Sequence, residues 1–213
     1  MPSDDYIEPR DAENERDTAQ VDEEHTDSDQ AEEGVTFASL GLPDEILAAI
    51  TDMGFRVPTP IQAAAIPPLL ELRDVVGIAQ TGTGKTAAFG LPLLAIVDAD
   101  ERDVQALVLA PTRELAMQSA QAIEDFAART ARLDVVPVYG GSPYGPQIGA
   151  LKRGAQVVVG TPGRVIDLIE KGALDLSNVR MLVLDEADEM LRMGFAEDVE
   201  TIASAVPAQR LTA

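Results

Sequence analysis

The chain has 213 residues, of which 46% are hydrophobic and 25% charged, as in an ordinary domain with a buried core. It contains no cysteine and one histidine, His25, which excludes disulfides, thiolate zinc sites, cysteine nucleophiles and histidine-based metal sites or triads. The longest apolar run, residues 87–97, is much shorter than the roughly 20 residues of a membrane-spanning helix. The acidic N-terminus lacks the basic and apolar regions of a secretory signal. These features predict a soluble, cytoplasmic protein with no membrane partner.

Charge is distributed unevenly along the chain. Residues 1–34 carry fourteen Asp and Glu against two Arg, a net charge of −12, and leave −9 of the total −21 for the remaining 179 residues. This first segment has almost no aliphatic side chains, so burial cannot offset the entropy of ordering it. We predict a disordered acidic tail over residues 1–34 and one folded domain over residues 35–213. The tail is interpreted as solubilising, with an acidic partner-binding arm as the alternative.

The remaining residues alternate between helical and strand patterns. Pro43 opens a helix that Gly54 closes, and a second helix starts at Thr59 and is interrupted at Pro67-Pro68. The predicted strands cover residues 74–79, 104–110, 135–139, 156–160 and 179–184. Further helices are predicted to follow Lys85, Arg113, Tyr144, Pro162 and Ala196. Continuous runs of Val, Leu and Ile separated by helices indicate an α/β fold, in which helices cover both faces of a mostly parallel sheet.

Four strand-to-helix turns recur in this pattern, at residues 80–84, 111–112, 140–142 and 161–162. In an open parallel sheet the carboxyl ends of the strands share one edge, and ligands bind there. We therefore expect these four turns to line one face of the domain.

The first of these turns has the sequence of a phosphate-binding loop, except that Ala79 replaces its first glycine. Glycines in such a loop let backbone N–H groups wrap a phosphate at a helix N-terminus. Lys85 would supply a positive charge to the β- and γ-phosphates, and the Thr86 hydroxyl would bind Mg²⁺. The residues predicted to bind ATP here are Gln80, Thr81, Gly82, Thr83, Gly84, Lys85 and Thr86. A plain glycine-rich turn is the alternative, which the flanking strand and helix disfavour.

An apolar strand that delivers acids at its carboxyl end, as a Walker B element does, precedes Asp185 and Glu186. Asp185 would hold Mg²⁺, and Glu186 would orient or deprotonate the attacking water. Alone, such acids are as consistent with a solvated helix cap. Combined with the phosphate loop they indicate nucleoside-triphosphate hydrolysis, with Lys85, Asp185 and Glu186 as the catalytic candidates.

Asp-Glu-Ala-Asp at residues 185–188 is the signature of the DEAD-box RNA helicases, and the chain resembles that family from about residue 37 to its end. Residues 54–62 are similar to the family's Q motif. The resemblance implies a RecA-like domain that prefers ATP because Gln62 reads the adenine edge and Phe55 stacks on its ring. An amide can bond an adenine edge at two points. Phe37 matches the family's isolated upstream aromatic, and for both phenylalanines core packing is the alternative.

Three other turns resemble the family's RNA-facing motifs. Threonine caps and helix N-termini attract phosphates, arginines add charge, and glycines permit close backbone approach. Such contacts hold a sugar–phosphate backbone without reading its sequence. For any one turn alone, an ordinary helix cap is the alternative. The residues assigned to RNA are Pro111, Thr112 and Arg113 in motif Ia, Gly140 and Gly141 in the GG motif, and Thr161, Pro162, Gly163 and Arg164 in motif Ib.

The chain departs from the family's pattern at its C-terminal end. Motif III belongs on a strand after Arg210, where the chain stops, and motifs IV to VI of a second RecA-like domain are absent. We expect a piece of a longer protein, nearly inactive by itself, whose Asp188 would couple to the second domain. Residues 190–195 and 207–210 resemble a bacterial cold-shock and ribosome-assembly branch, which implies ribosomal or RNA-degradation partners. Two rivals stay open: a phosphate-loop ATPase acting on DNA or protein, and a non-enzymatic nucleotide-gated RNA clamp or interaction protein.

Overall fold

The computed structural model describes residues 34–80 and 82–213. The predicted acidic tail therefore lies outside the described residues, apart from Gly34, and so does Thr81 of the phosphate loop.

The described residues form a sheet of five parallel strands in the order β2-β3-β1-β4-β5. The pairing is even, so Leu109 at the end of β1 lies opposite Gly160 on one side and Leu184 on the other. The carboxyl ends of the central strands consequently share one edge. The strands are β1 Ala106–Leu109, β2 Val135–Val138, β3 Val157–Gly160, β4 Met181–Leu184 and β5 Leu211–Thr212.

A short 3₁₀ helix, Phe37–Leu40, precedes eight α-helices in the described part of the chain. Caps set several of their starts: Thr59 and Gln62 form a capping box at α2, and Pro162 occupies the first turn of α6. The helices are α1 Asp44–Asp52, α2 Pro60–Leu70, α3 Lys85–Ile96, α4 Arg113–Phe126, α5 Tyr144–Lys152, α6 Pro162–Glu170, α7 Ala187–Arg192 and α8 Ala196–Ala205.

Apolar side chains fill a core on each face of the sheet. Ala106 and Val108 of β1 pack in the core that contains helices α1 to α4. Leu107 and Leu109 point to the opposite face and pack in the core that contains α5 to α8. This alternation explains why the strands are apolar at every position. The prediction of a parallel α/β fold with helices on both faces is confirmed.

The predicted strand over residues 74–79 is wrong, because this extended segment joins the sheet at one point only. The Val75 amide donates to the Thr212 carbonyl at 3.0 Å, and the Thr212 amide donates to the Asp74 carboxylate at 2.7 Å. The neighbouring strand β5 is two residues long, so no ladder can continue beyond this contact. Val76 and Ile78 are left 95% and 97% exposed.

The predicted interruption of the second helix at Pro67-Pro68 is also wrong, since α2 continues through both prolines. They lie in its last turn, where missing N–H groups leave only two carbonyls one turn earlier without their usual partners. The carbonyls of the prolines themselves are used, because Glu71 donates to Pro67 at 3.1 Å and Arg73 to Pro68 at 2.9 Å.

None of the helices in the described residues is both long and apolar enough to cross a bilayer.

Candidate nucleotide and RNA site

The phosphate loop turns into helix α3 at Gly84, the N-cap residue. Gly82 and Gly84 both have left-handed backbones, with φ of 82° and 88°. The Thr83 hydroxyl donates to the Gln80 carbonyl at 2.7 Å and closes the turn. A Cβ at Gly84 would overlap the side-chain amide nitrogen of Gln62. Glycine at position 84 is thus required both by its φ and by a close approach.

Gln62 joins helix α2 to this loop and is only 3% exposed. Its Oε1 accepts from the Thr59 amide at 2.9 Å, and its Nε2 donates to the Gly84 carbonyl at 3.2 Å. One amide hydrogen and one oxygen lone pair remain for another partner. The predicted reading of adenine by Gln62 stays a prediction, and it would have to use this remaining capacity.

The phosphate loop meets the end of strand β4 through Lys85 and Glu186, which are 101 residues apart in sequence. Lys85 Nζ lies 2.6 Å from Glu186 Oε1, and about a fifth of each side chain is exposed. Glu186 has a left-handed backbone with φ 53°, which is uncommon outside glycine and tends to occur at functional sites. Two of the three predicted catalytic residues are therefore in direct contact, and a phosphate reaching Lys85 must compete with Glu186.

Asp185 is held beside them by the sheet and by a serine of helix α4. Its amide donates to the Leu109 carbonyl at 2.9 Å, and its Oδ2 accepts from the Ser119 hydroxyl at 3.3 Å. Burial and the charge of Glu186 raise the pKa of Asp185 above its ordinary value, while the Ser119 hydrogen bond and Lys85 act in the opposite direction.

The residues predicted to bind magnesium, Thr86 and Asp185, carry the oxygen donors that this ion prefers. Asp185 keeps Oδ1 free of the Ser119 bond, and Thr86 places a hydroxyl in the first turn of α3. Mg²⁺ prefers hard oxygen ligands and typically takes one or two from protein carboxylates and the rest from phosphates and water. Within residues 34–80 and 82–213, no group of three or more His, Asp or Glu side chains converges as a protein-only metal cage would require. A nucleotide-assisted Mg²⁺ site matches this donor set.

Three aromatic rings pack beside the predicted adenine region. Phe55 lies edge-to-face with Phe37 at 5.7 Å and with Phe126 at 6.0 Å between ring centroids. Phe37 is fully buried, which confirms the core-packing alternative for that residue. Phe55 is half-buried against the same core, and its stacking on adenine stays a prediction.

The predicted RNA-facing turns follow strands β1, β2 and β3 at the common carboxyl edge. At the first, the Thr112 hydroxyl caps α4 by accepting from the Leu115 amide at 3.3 Å. Arg113 is exposed, and its guanidinium carbon lies 4.6 Å from the ring centroid of Tyr139 at the next turn. An exposed arginine in the first turn of a helix is free to meet a phosphate.

The other two turns expose backbone more than side chains. Thr161 is the N-cap of α6 but makes no side-chain capping bond, and its amide donates to the Val138 carbonyl at 3.0 Å. The exposed glycines are Gly140, Gly141 and Gly163, and the buried prolines are Pro111 and Pro162. The structure thus brings these predicted residues to one edge, and their contacts with RNA stay predictions.

Arg164 differs from the other predicted RNA residues because its side chain is only 5% exposed. Its two terminal nitrogens donate to Gln147 Oε1 at 3.1 Å and to the Ser142 carbonyl at 3.0 Å. Its guanidinium carbon lies 4.1 Å from the ring centroid of Tyr144. The arginine is enclosed by the protein rather than presented at the surface.

Asp188, the predicted coupling residue, lies in the short helix α7 and is mostly exposed. It pairs with Arg192 at 2.7 Å, one turn along the helix, and Arg192 also pairs with Glu189 at 2.8 Å. Exposed pairs of this spacing are weak, so Asp188 can exchange Arg192 for another partner at little cost.

Three residues that contact predicted site residues were missed in the sequence. Ser119 on Asp185, and Tyr144 and Gln147 on Arg164, contact partners 66, 20 and 17 residues away in the chain. Serine, tyrosine and glutamine at these positions match no motif, so no sequence signal distinguished them from helix-surface residues.

This fold and this site define a class: a RecA-like, phosphate-loop nucleotide-binding domain with a Walker B acid pair at the neighbouring strand end. The comparisons identify the family. A protein-family model described as DEAD/DEAH box helicase matches residues 59–213, and the chain belongs to this family.

Known relatives support the same assignment. Proteins named "ATP-dependent RNA helicase DeaD" from Escherichia coli and Mycobacterium tuberculosis are 57% and 56% identical over 183 residues, which is 86% of this chain. The match spans 29% and 32% of those two relatives, so the chain covers about three tenths of their length. A crystal structure of a DEAD box protein from the hyperthermophile Methanococcus jannaschii is 46% identical with a TM-score of 0.79, covering 83% of this chain and 48% of that chain.

Proposed function

We propose that the chain is the nucleotide-binding half of an ATP-dependent RNA helicase, which couples ATP hydrolysis to local unwinding of RNA duplexes in a longer protein. The observation that carries this proposal is the 2.6 Å contact between Lys85 of the phosphate loop and Glu186 of the Asp-Glu-Ala-Asp sequence. It joins a phosphate-binding group to a group that can act on water. The names of the relatives supply RNA as the substrate class.

Hydrolysis requires that Lys85 and Glu186 separate. When Lys85 turns to the β- and γ-phosphates, the Glu186 carboxylate is released to orient the attacking water and accept its proton. The water oxygen bonds to the γ-phosphorus as the bond to the bridging oxygen breaks, and ADP leaves with that electron pair. Mg²⁺, when bound through Thr86 and Asp185, would neutralise phosphate charge. Ser119 then keeps the Asp185 carboxylate in one orientation.

Adenine selection is proposed for Gln62 and Phe55. The buried amide of Gln62 already contacts the phosphate loop through Gly84, so adenine bound to it would be sensed at the loop. Loss of a buried amide partner typically costs about 1–3 kcal/mol, which corresponds to a discrimination of ATP from GTP of about fivefold to about a hundredfold.

RNA is proposed to lie along the edge formed by residues 111–113, 140–141 and 161–163. Helix N-termini, exposed glycines and Arg113 suit the phosphate backbone, which every RNA sequence shares. The described domain carries negative rather than positive net charge, so these local groups must provide the attraction. Ribosomal or RNA-degradation partners and a cytoplasmic location remain predictions from the sequence.

The test is a chimera in which this chain replaces the matching 183-residue part of the Escherichia coli relative. We expect RNA-stimulated ATP hydrolysis and unwinding of a short RNA duplex, both lost in the same chimera with Lys85→Ala. Stimulation by DNA or by a protein, and not by RNA, would favour the rival ATPase. RNA binding that depends on ATP but is followed by neither hydrolysis nor unwinding would favour the RNA clamp.

A further inference from the structure

We propose that Arg164 is a positioning residue, which sets the geometry of two RNA-facing turns from inside the protein and makes no contact with RNA itself. The inference rests on the proposed RNA function of this edge. Arg164, Gln147 and Tyr144, here called the brace, together hold this edge in shape.

Hydrogen bonds within the protein already hold the Arg164 guanidinium. Both terminal nitrogens of Arg164 donate to protein acceptors, Gln147 Oε1 and the Ser142 carbonyl, at 3.1 and 3.0 Å. Nε lies 3.8 Å from Asp167 Oδ2 and has no hydrogen-bond partner within the described residues. These bonds use two of the five N–H donors, and because the side chain is only 5% exposed, a phosphate could reach the others only after the side chain leaves its enclosure.

Hydrogen bonds from Arg164 and Gln147 hold the turn at Gly140 and Gly141 on both sides. Ser142 directly follows Gly140 and Gly141, and the brace contacts it through Arg164. Gln147 donates to the carbonyl of Tyr139, the residue directly before the glycines, at 3.2 Å. The carbonyl groups on either side of the two exposed glycines, those of Tyr139 and Ser142, are therefore fixed by hydrogen bonds. Without these bonds, glycines would have wide backbone freedom.

The brace also fixes this glycine turn relative to the start of helix α6. Arg164 lies in the first turn of that helix, three residues after the N-cap Thr161. A single side chain thus spans from the α6 N-terminus to the glycine turn. Phosphates held by the two turns must match one fixed spacing, and a preorganised spacing lowers the entropic cost of binding.

Tyr144 keeps the guanidinium in place. Its ring lies 4.1 Å from the Arg164 guanidinium carbon and 4.9 Å from Lys171 Nζ, within the range of cation–π attraction. Its hydroxyl donates to Asp167 Oδ2 at 2.8 Å, which fixes the ring. That hydrogen bond, burial and the Asp167 charge raise the pKa of Tyr144, while the neighbouring Arg164 acts in the opposite direction.

Arg113 provides the matched contrast. It is exposed at the same edge and lies over the Tyr139 ring, so it can reach a phosphate without losing buried bonds. A direct phosphate contact and a positioning contact differ in salt dependence. Losing one phosphate contact lowers the slope of log affinity against log salt by about 0.7 for a single strand, whereas losing preorganisation weakens binding at every salt concentration alike.

The experiment measures binding of the 213-residue chain to a labelled single-stranded oligouridylate by fluorescence anisotropy over a series of salt concentrations. Arg113→Gln is expected to lower the salt slope by about 0.7. Arg164→Gln is expected to weaken binding on the order of tenfold with an unchanged slope. Arg164→Lys should be equally weak, because an ammonium keeps the charge but cannot bridge Gln147 and Ser142.

A second set of measurements separates positioning from general structural support. Affinity for a fluorescent ATP analogue should remain within about twofold of the unmodified chain in both Arg164 variants, while RNA affinity falls. Gln147→Met removes the hydrogen bonds of a buried amide at similar volume and should reproduce the RNA defect. It provides a second test of the brace if an Arg164 variant fails to fold. Combining Gln147→Met with Arg164→Gln should add little further loss, since both act through one brace.

Three outcomes would overturn the proposal. One is a fall in salt slope for Arg164→Gln together with rescue by Arg164→Lys, which would make Arg164 a direct contact. The second is unchanged RNA affinity in folded Arg164→Gln and Gln147→Met variants. The third is a parallel loss of RNA and ATP-analogue affinity. By contrast, failure of the unmodified chain to bind the oligonucleotide even at low salt would contradict the proposed RNA function of this edge.

Discussion

Lys85 and Glu186 lie in an ion pair at 2.6 Å, so ATP must compete with a carboxylate for its own phosphate-binding lysine. About a fifth of each side chain is exposed, so desolvation offsets much of the attraction and leaves a net contribution on the order of 1 kcal/mol. The competition is therefore real but small. In the proposed mechanism Glu186 has two opposed effects, since the same carboxylate would weaken ATP binding and would promote the reaction of bound ATP.

The Glu186→Gln substitution separates these effects. We expect ATP affinity to rise by up to about fivefold, because the competing charge is removed from Lys85. Hydrolysis in the chimera should fall about 10²- to 10⁴-fold, the usual contribution of a general base. Titration with a fluorescent ATP analogue and steady-state phosphate release measure the two quantities.

Asp188→Asn is the matched control, because it removes an exposed acid of the same sequence motif whose ion pair is with Arg192. ATP affinity should not change in this variant. Weaker ATP binding by Glu186→Gln would contradict the competition and would mean that the carboxylate itself helps to hold the nucleotide.

The sequence predicted the residues of the nucleotide site better than the residues that hold those side chains in place. Lys85, Asp185 and Glu186 could be placed together because a loop motif and an acidic strand end must meet at the carboxyl edge of a parallel sheet. Ser119 could not, because its contact with Asp185 depends on how helix α4 packs. Arg164 was predicted to face RNA from its motif alone, whereas burial depends on neighbours that no motif specifies.

At the scale of elements, the phosphate loop contacts α2 and leads into α3, and of its two glycines Gly84 is the one that tolerates substitution less. Gln62 of α2 donates to the Gly84 carbonyl, and a Cβ at this residue would overlap the same amide. Gly82 has a similar φ, 82° against 88°, but a Cβ there would have no heavy atom within 4 Å. The two glycines share the backbone requirement and differ in the steric one.

Gly84→Ala and Gly82→Ala can therefore be compared directly. Each should lose about 1 kcal/mol of unfolding free energy from the left-handed backbone. Gly84→Ala should lose about 1–3 kcal/mol more, because the Gln62 amide must move and give up its hydrogen bond. Chemical denaturation measures both. Adding Gln62→Ala to Gly84→Ala should recover part of the steric loss, and equal effects of the two single substitutions would contradict this account.

The strands with continuous apolar runs and the helices that follow them were predicted correctly, and the exceptions have physical causes. The four strands β1 to β4 and the helices that follow them agree with their patterns because each strand has a full-length neighbour on at least one side. Residues 74–79 have the same apolar composition but only a two-residue neighbour, so composition alone overestimated pairing. The order of strands in the sheet could not be read from the sequence, since it depends on crossovers between distant segments.

At the scale of the whole molecule, the negative net charge limits how the chain can attract RNA. Its excess of acidic residues gives no long-range attraction for RNA, so contacts at the carboxyl edge must be short-ranged. The relatives it matches are about three times as long. Their remaining length offers room for a second domain to close over ATP and RNA.

The isolated 213 residues should consequently bind ATP with magnesium but hydrolyse it barely above background, with or without RNA. The groups proposed to act on ATP in these 213 residues are the phosphate loop, Asp185 and Glu186, and we expect an arginine for the transferring phosphate to come from a second domain of a longer protein. Such an arginine is worth roughly 10³–10⁵ in turnover, or about 4–7 kcal/mol of the barrier. The chimera with the Escherichia coli relative should regain this factor, because closure would bring the arginine to the phosphate and exclude water.

Steady-state phosphate release at low salt, with and without single-stranded RNA, compares the isolated chain with the chimera. The Lys85→Ala chimera sets the background, and a nucleotide-binding titration shows whether the isolated chain is loaded with ATP during the assay. Slow release from a loaded chain would place the deficit in the chemical step rather than in binding. RNA-stimulated release by the 213 residues alone, approaching that of the chimera, would mean that Lys85 and Glu186 suffice for catalysis without a second domain.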